Sequence, residues 1–450
     1  MNKIYSLKYN LYIIVFLIVS LHNRNILAEE PDSLLVNDTE SIRIDSIKIS
    51  GNDITEDFII LRELTFKVGE TVTGKILRFN RERVYSLSLF NRVEFIIGND
   101  QNKTILEIHL SESWYIYPLP FVRAENDDLK RATYGINILY KNFRGRNETL
   151  RAKVGFGYDP SYSIYYDNPA LFFGNDIGFT FGIAYSKINN RSKAAENIIG
   201  DKFQYKIFSQ TISFSKRINQ FNITFLSLGF NYIESPFSKK GITASGERID
   251  RLMYGGISYL YDSRDLKQYS ENGLYTFLNF SHKGFGINNI SYNDFEIDFR
   301  GYRKLFEQIS GKWRFVYRRT FGKLVPFYDY SYLGYGERVR GHYNDIREGK
   351  GYLLTSLELS YPVVKDWNVS FKLPLLPESL TSARIGIYLS GFIDAGDTFN
   401  DSDSFSLSHF YSGYGFGITF LFLPYNAIRF EYALNELGRG EFTIGTGFSF

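Results

Sequence analysis

The residues best placed to do chemistry begin with an arginine in a long loop. The connection 323–349 is too long for a simple turn, and ordered loops of this length are usually functional. It contains Val339, Arg340, Gly341 and His342 in sequence. Glycine would allow a tight loop tip, and a guanidinium can grip one carboxylate with two N–H groups while bonding another group. This run predicts a loop that pairs with carboxylates, unless Arg340 is simply a solvated loop residue.

Two carboxylates are expected to meet this arginine. In segment 350–362 leucines alternate with other residues, which places Glu358 on the face opposite to them. In segment 382–396 the isoleucines do the same and place Asp394 on the second face. If the apolar faces point outward, both carboxylates point inward. The alternation therefore predicts an ion cluster that Arg340 forms with them on the inner wall of a sheet.

No other pattern in the sequence indicates catalysis. The chain has no cysteine, which excludes thiol chemistry, Cys-ligated zinc and disulfides. It contains no nucleophile elbow and no phosphate-binding loop. The histidines lack metal-ligand spacing; they are His22, His109, His282, His342 and His409. We therefore expect no catalytic residue, no metal and no cofactor, with a Ser/His pair hidden inside a barrel as the one enzymatic alternative.

Composition indicates what kind of fold holds these residues. Of the 450 residues, 41 are Phe, 35 Tyr, 3 Trp and 38 Gly. The near-neutral net charge of +3 argues against a nucleic-acid binder. Beyond about the first 25 residues, no run approaches the roughly 18 apolar residues of a membrane helix. Abundant aromatics and glycines without a helical span are typical of a transmembrane β-barrel.

Short alternating segments fill residues 113–450. One face of many segments is rich in Phe and Tyr and the other in Gly and Thr, which favours a lipid-facing exterior over a soluble barrel. Long and short connections alternate, so the short turns should share the periplasmic side with the C-terminus. We predict a membrane all-β fold, an antiparallel transmembrane β-barrel of about 16 strands. The expected strands are 114–124, 131–143, 147–158, 161–168, 175–187, 202–217, 220–233, 249–263, 272–283, 290–304, 310–322, 350–362, 382–396, 409–422, 425–435 and 440–450.

Three segments precede this barrel. Residues 1–28 have the basic, apolar and small-residue regions of a signal peptide, with an uncleaved anchor as the alternative. Residues 29–40 are polar and are expected to form a linker. Residues 41–112 show strand and helix patterns in the order β-α-α-β-β, and Thr55 is expected to cap the first helix. This order predicts one small α+β domain ahead of a barrel domain at 113–450.

Several motifs match one known family. In 41–112 the matching positions are Ile47, Gly51, Asn52, Leu64, Gly69, Leu89, Phe90, Val93 and 105–112. In the barrel they are Val339, Arg340 and Gly341 of a Val-Arg-Gly-aromatic loop motif, Gly391, Phe392, Asp394 and Gly396 of a Gly-Phe-x-Asp-x-Gly strand motif, and Phe448 and Phe450 of a C-terminal aromatic signature. The chain thereby resembles the BamA/TamA family of outer-membrane assembly factors, with one POTRA domain. His342 departs from the family's usual aromatic.

The resemblance implies a place and a role. The barrel would lie in the bacterial outer membrane with the POTRA domain in the periplasm, and Arg340 would pair with Glu358 and Asp394 to hold the loop inside. The POTRA sheet edge would accept a client strand by β-augmentation, and the seam between the first and last barrel strands would open sideways.

The partners implied are outer-membrane lipid, unfolded outer-membrane or exported client proteins, and periplasmic chaperones or accessory subunits, but no nucleic acid. The chain would then assist insertion, assembly or translocation of other proteins. The alternatives are a secretion pore for one exported protein and a structural or adhesive surface barrel.

Overall fold

The structure is a computed structural model that describes residues 37–447 apart from 101–102, 126–127, 172–175, 307, 344, 371–376 and 404–405. The predicted signal peptide, most of the predicted linker, Phe448 and Phe450 lie outside the described residues. Among the residues described, no helix has both the length and the apolar character needed to cross a membrane.

A small α+β unit forms the N-terminal part of the described chain. Its elements are β1 (Ser41–Arg43), β2 (Ser46–Ser50), a helix (Asp57–Leu61), β3 (Thr71–Thr73), a second helix (Gly74–Tyr85), β4 (Phe90–Asp100) and β5 (Lys103–Glu112). In its three-stranded sheet, β5 is central, parallel to β2 and antiparallel to β4, while β1 pairs separately with β3. Alternating apolar residues of β4 and β5 pack with the helices, so the core includes Leu77, Val84, Phe95, Leu106 and Ile108.

Thr55 does not cap the first helix, contrary to the sequence-based expectation. That helix begins at Asp57, and its N-cap residue Glu56 makes no side-chain cap bond. The Thr55 hydroxyl instead donates to the Glu112 carboxylate over 2.6 Å, and it accepts a hydrogen bond from Asn142 over 2.8 Å. A hydrogen bond from a hydroxyl to an ionised carboxylate is stronger than the bond between two uncharged groups that a threonine helix cap would make. Both partners are distant in sequence, so no local pattern contains them.

The rest of the chain forms a 16-stranded antiparallel sheet, which confirms the predicted fold class. Strands follow one another in sequence order from β6 to β23, omitting only β17 and β18 of the long loop. Within the described residues β6 and β23 do not pair with each other, so the order ends in two edges. The strands are β6 (Ile116–Glu125), β7 (Asp128–Phe143), β8 (Glu148–Gly157), β9 (Ser161–Asn168), β10 (Ile177–Asn189), β11 (Gln204–Arg217), β12 (Asn222–Glu234), β13 (Ile249–Asp262), β14 (Gly273–Lys283), β15 (Tyr292–Lys304), β16 (Ser310–Gly322), β17 (Ser331–Leu333), β18 (Arg347–Gly349), β19 (Gly351–Ser370), β20 (Ser382–Phe399), β21 (Tyr411–Leu423), β22 (Asn426–Asn435) and β23 (Gly440–Thr446).

Two strands run further than their sequence pattern indicated. We expected strands at 350–362 and 382–396, but β19 continues to Ser370 and β20 to Phe399. The pairing register between them shifts on both sides of Val364. A bulge changes which side chains point outward. The alternation in the sequence therefore breaks at a point where the strand itself continues.

The two faces of the sheet differ in polarity. Large apolar side chains that are more than half exposed on the outer face include Ile257, Leu357, Ile393, Phe416 and Phe442. The inner face carries charges that pair between neighbouring strands. On β15 and β16, Arg314 bonds Asp298 over 2.8 Å and Arg318 bonds Asp294 over 3.0 Å. Pairing of this kind allows a polar interior beside an apolar exterior.

Both mouths of the barrel are covered. On the long-loop side, the loops form an apolar core that includes Phe203, Ile242, Ile290, Tyr292 and Val325. On the opposite side, the N-terminal unit hydrogen-bonds to the connections after β7, β9, β11, β13, β19 and β21. These connections surround the opening, so the unit lies across it.

Candidate functional site

The long loop between β16 and β19 folds back against the inner wall. Its two ends pair with each other as β17 and β18. Val339, only 1% exposed, belongs to an apolar cluster with Val316, Leu333, Tyr352 and Leu354. Because this cluster includes inward residues of β16 and β19, burial of Val339 holds the loop tip to which it belongs, residues 338–343, against the wall.

Arg340 forms hydrogen bonds to three carboxylates of the inner wall. Its Nε and Nη2 donate to the two oxygens of Asp394, each over 2.7 Å, and its backbone N–H donates to the same carboxylate over 3.1 Å. Its Nη1 donates to Glu358 over 3.0 Å and to Glu431 over 3.3 Å. The structure thus brings Arg340, Glu358 and Asp394 together, with Glu431 as a third acid. The functional role of this cluster stays a prediction.

Further cations balance this cluster. Lys312 donates to Glu358 over 3.2 Å, and Arg429 lies 3.6 Å from Glu431. In the described part of the chain, Arg340 is the one residue whose side chain donates to Asp394, which is 2% exposed. Removing one partner of a buried ion pair leaves an uncompensated charge. Asp394 therefore depends on Arg340 more than the other two acids do.

The backbone of the inner wall and one of its aromatic rings lie close against the arginine. A Cβ on Gly413 of β21 would stand 1.8 Å from the Arg340 carbonyl oxygen, so only glycine fits there. Gly341 has a φ of +94°, in the left-handed region that favours glycine. The ring centroid of Phe392 lies 3.6 Å from the Arg340 guanidinium carbon, as in a cation–π contact.

The two glycines of the strand motif differ in their surroundings. A Cβ on Gly396 would approach Leu353 O to 2.9 Å and Leu333 of the loop hairpin to 3.2 Å, so its small size allows close packing. A Cβ on Gly391 would meet nothing closer than 3.9 Å. Within the motif, therefore, Gly396 is the glycine that packing requires.

His342, which belongs to the loop tip, packs against the same wall. Its ring is 4% exposed and stacks on Tyr411, with 4.3 Å between ring centroids. Nδ1 lies 2.9 Å from Asp345 and Nε2 lies 2.8 Å from Glu436. The ring therefore packs as an aromatic while also making polar contacts.

A cavity of about 560 Å³ lies beside this cluster. Its lining includes Arg338, Arg340, Asp394, Glu431 and Glu441, so it is polar enough to hold water. It extends along the inner face of β23, the last strand of the sheet. No group of three or more acidic or histidine side chains suited to a metal ion occurs in the described part of the chain.

A second buried ion cluster joins the N-terminal unit to the barrel. Glu63 accepts hydrogen bonds from Arg83 of its own unit over 3.0 Å and from Arg217 of β11 over 2.7 Å. Arg83 also donates to the carbonyl oxygen of Asp262 over 3.0 Å. Burial alone would raise the pKa of Glu63, but the positive charges of Lys267, Arg217 and Arg83 outweigh it and lower that pKa to about 2. The ionised carboxylate therefore helps hold the two units together.

Sequence reasoning missed part of this arrangement. Glu431 had a usable signal, because it alternates with the outward residues Phe430 and Tyr432 on β22. Glu63, Arg83 and Arg217 had none, since charged residues near helices and turns usually face water. Only the contact between the units buries them.

Comparisons with known proteins agree with this architecture. Residues 142–450 match the Omp85 superfamily domain, and residues 42–113 match the POTRA family described as a surface antigen variable number repeat. The fold is similar to BamA from Haemophilus ducreyi lacking POTRA domains 1-3, with a TM-score of 0.52 and 16% identity over 90% of this chain and 84% of that one. It is also similar to CdiB from Escherichia coli, with a TM-score of 0.55 and 11% identity over 89% and 75% of the two chains. No curated protein matches the sequence.

These matches confirm the predicted family and place its parts. The barrel lies in the outer membrane, and the POTRA domain and the short-turn side lie in the periplasm. One domain match covers more than half of the chain, and a POTRA match precedes it. The chain belongs to the Omp85 superfamily.

Proposed function

We propose that this chain assists the insertion, assembly or translocation of other proteins at the outer membrane. The observation that carries the proposal is the pair of sheet edges at β6 and β23, each paired on one side only among the described residues. An unpaired strand edge presents N–H and C=O groups that can pair with another chain. A client strand can therefore extend the sheet once this seam opens sideways.

The POTRA domain supplies another edge for the same clients. Its sheet ends in β2 on one side and β4 on the other. Asn91 of β4 donates to the Ser379 carbonyl of the barrel over 2.8 Å, so β4 begins against the barrel. We therefore assign β-augmentation by an extended, unfolded client to β2.

In this proposal the arginine cluster sets the shape of the barrel near the seam. Glu358, Asp394 and Glu431 belong to β19, β20 and β22, and one guanidinium bonds all of them. Arg340 is then a positioning residue and not a catalytic one, and the chain acts without enzymatic chemistry.

A disulfide that locks the seam tests the mechanism. The chain contains no cysteine, so engineered pairs joining 116–122 to 440–446 can be scanned without background. Oxidation of a seam pair should block client insertion, and reduction should restore it. A matched pair at Tyr432 and Phe442, which already face each other on β22 and β23, should have no effect. Full insertion by a completely oxidised seam pair would refute lateral opening.

Depletion of the protein separates the proposed role from its alternatives. A general loss of outer-membrane proteins from the membrane proteome would support assembly. Loss of one exported protein alone would support the secretion pore instead. An unchanged proteome and secretome would leave only the structural or adhesive surface barrel.

A further inference from the structure

His342 occupies the position where the family motif has an aromatic residue, and its ring nitrogens contact acceptors from three parts of the barrel. Nδ1 lies 2.9 Å from Asp345 of the same loop. Nε2 lies 2.8 Å from Glu436, in the turn between β22 and β23, and 3.2 Å from the carbonyl oxygen of Ser412 on β21. The stack on Tyr411 fixes the plane of the ring.

This arrangement requires a particular form of the imidazole. A neutral histidine carries one N–H, so one ring nitrogen would direct its lone pair at a carboxylate. Ionised carboxylates and carbonyl oxygens only accept hydrogen bonds. Both contacts are therefore satisfied together only by an imidazolium, which has an N–H on each nitrogen.

Glu436 remains ionised to receive that bond. Burial alone would raise its pKa, but hydrogen bonds from backbone N–H groups and from His342 hold the pKa below its usual value. Other charged groups near the ring are Arg347, which contacts the Tyr411 ring, and Glu441 of β23, which accepts from the backbone N–H of Tyr343 over 3.0 Å. The loop tip is thus connected to both the turn and the strand of the last hairpin.

We propose that His342, as an imidazolium, is a positioning residue that ties the loop tip to the β22–β23 turn, so that proton binding tightens the loop's hold on the hairpin bordering the seam. This deepens the proposed function, on which its relevance to clients rests. Loss of the proton removes one N–H donor and the positive charge of the ring. The bond to Glu436 is then either lost or reduced to one from a neutral N–H, which is the weaker kind. The last hairpin opens more readily as a result.

Hydrogen exchange of the full-length protein in lipid nanodiscs tests this tie without any client. We would measure exchange of residues 436–446 at about pH 5 and about pH 8, the range in which histidine side chains change charge, each normalised to the intrinsic amide rate. Exchange should be about tenfold or more faster at the higher pH, as expected when a bond to a charged group is lost. Equal normalised exchange at both pH values would overturn the proposal.

Three variants make the result specific. His342→Phe keeps the stacking ring but has no N–H, so exchange should be fast at both pH values. Glu436→Gln removes the charged acceptor and should give the same loss of pH dependence if the phenylalanine variant fails to fold. His409→Gln, at an exposed histidine of the neighbouring loop, should behave as wild type. If a folded His342→Phe or Glu436→Gln protein exchanged as slowly as wild type at about pH 5, the proposed contact between loop tip and turn would be refuted. Failure of the proteome experiment alone would refute only the proposed function.

Discussion

Replacing Arg340 with alanine should destabilise the barrel by about 3 kcal/mol. The change removes hydrogen bonds to three carboxylates, but Glu358 keeps Lys312 at 3.2 Å and Glu431 keeps Arg429 at 3.6 Å. Among the described residues, Asp394 is the one acid of the cluster that is left buried with no other cation in salt-bridge contact. An uncompensated buried charge costs about 3–5 kcal/mol. The lower end applies because the polar cavity beside the cluster admits water.

A double-mutant cycle isolates this electrostatic cause. Asp394→Asn in the Arg340→Ala background removes the orphaned charge, so the double variant should recover about 2 kcal/mol relative to Arg340→Ala. Arg340→Lys keeps the charge but loses the forked geometry, and it should fall between wild type and alanine.

The assay is urea-dependent unfolding in lipid vesicles, followed by the heat-modifiable mobility of the folded barrel on gels. A loss below about 0.5 kcal/mol in Arg340→Ala, the usual range for surface substitutions, would refute the reasoning. So would a double variant that is no more stable than Arg340→Ala.

Two further predictions concern the POTRA contact and the loop tip. The pKa of Glu63 in the folded protein is about 2, against an ordinary 4.5. The stability that its ionised carboxylate contributes is therefore complete above pH 4.5 and is lost as pH falls towards 2. Wild type should lose about 3 kcal/mol of stability on acidification, whereas the Glu63→Gln variant should have a less stable POTRA–barrel contact at neutral pH and should lose less on acidification. Protease accessibility of the POTRA–barrel contact, measured as a function of pH, tests this. Parallel pH profiles of wild type and Glu63→Gln would contradict it. Gly413→Ala would force its Cβ against the Arg340 carbonyl oxygen and should cost about 1–3 kcal/mol and speed hydrogen exchange at 338–343. Gly391→Ala, with open space around its Cβ, is the matched control, and equal exchange in the two variants would contradict the steric argument.

Alternation predicted most of the barrel because its cause is simple. One face of each strand meets lipid and the other meets a polar lumen, so inward Glu358 and Asp394 could be placed from their neighbours alone. The same alternation also places Glu431 on the inward face, but this residue was overlooked because no family motif drew attention to it. It failed beyond 362, where the bulges at Val364 break the period while β19 continues to Ser370.

The contact between the two units could not be predicted in this way. Glu63 and Arg217 are 154 residues apart in sequence, and neither position has a local pattern that distinguishes a buried ion from a solvated one. Thr55 shows the same limit, because its sequence context favours a helix cap while Glu112 and Asn142 supply stronger tertiary partners. Secondary structure follows local periodicity, but docking depends on which distant surfaces meet.

The covering of both mouths bears on the permeability of the cell envelope. Porins with 16 to 18 strands leave an aqueous channel, and this sheet has 16 strands and a charged lumen. Here packed outer loops lie at one end of that channel and the POTRA domain lies at the other. In a planar bilayer the resting protein should pass much less ionic current than an open porin of the same strand number. Copies of this protein in the outer membrane should therefore admit fewer small hydrophilic toxins than the same number of open porins.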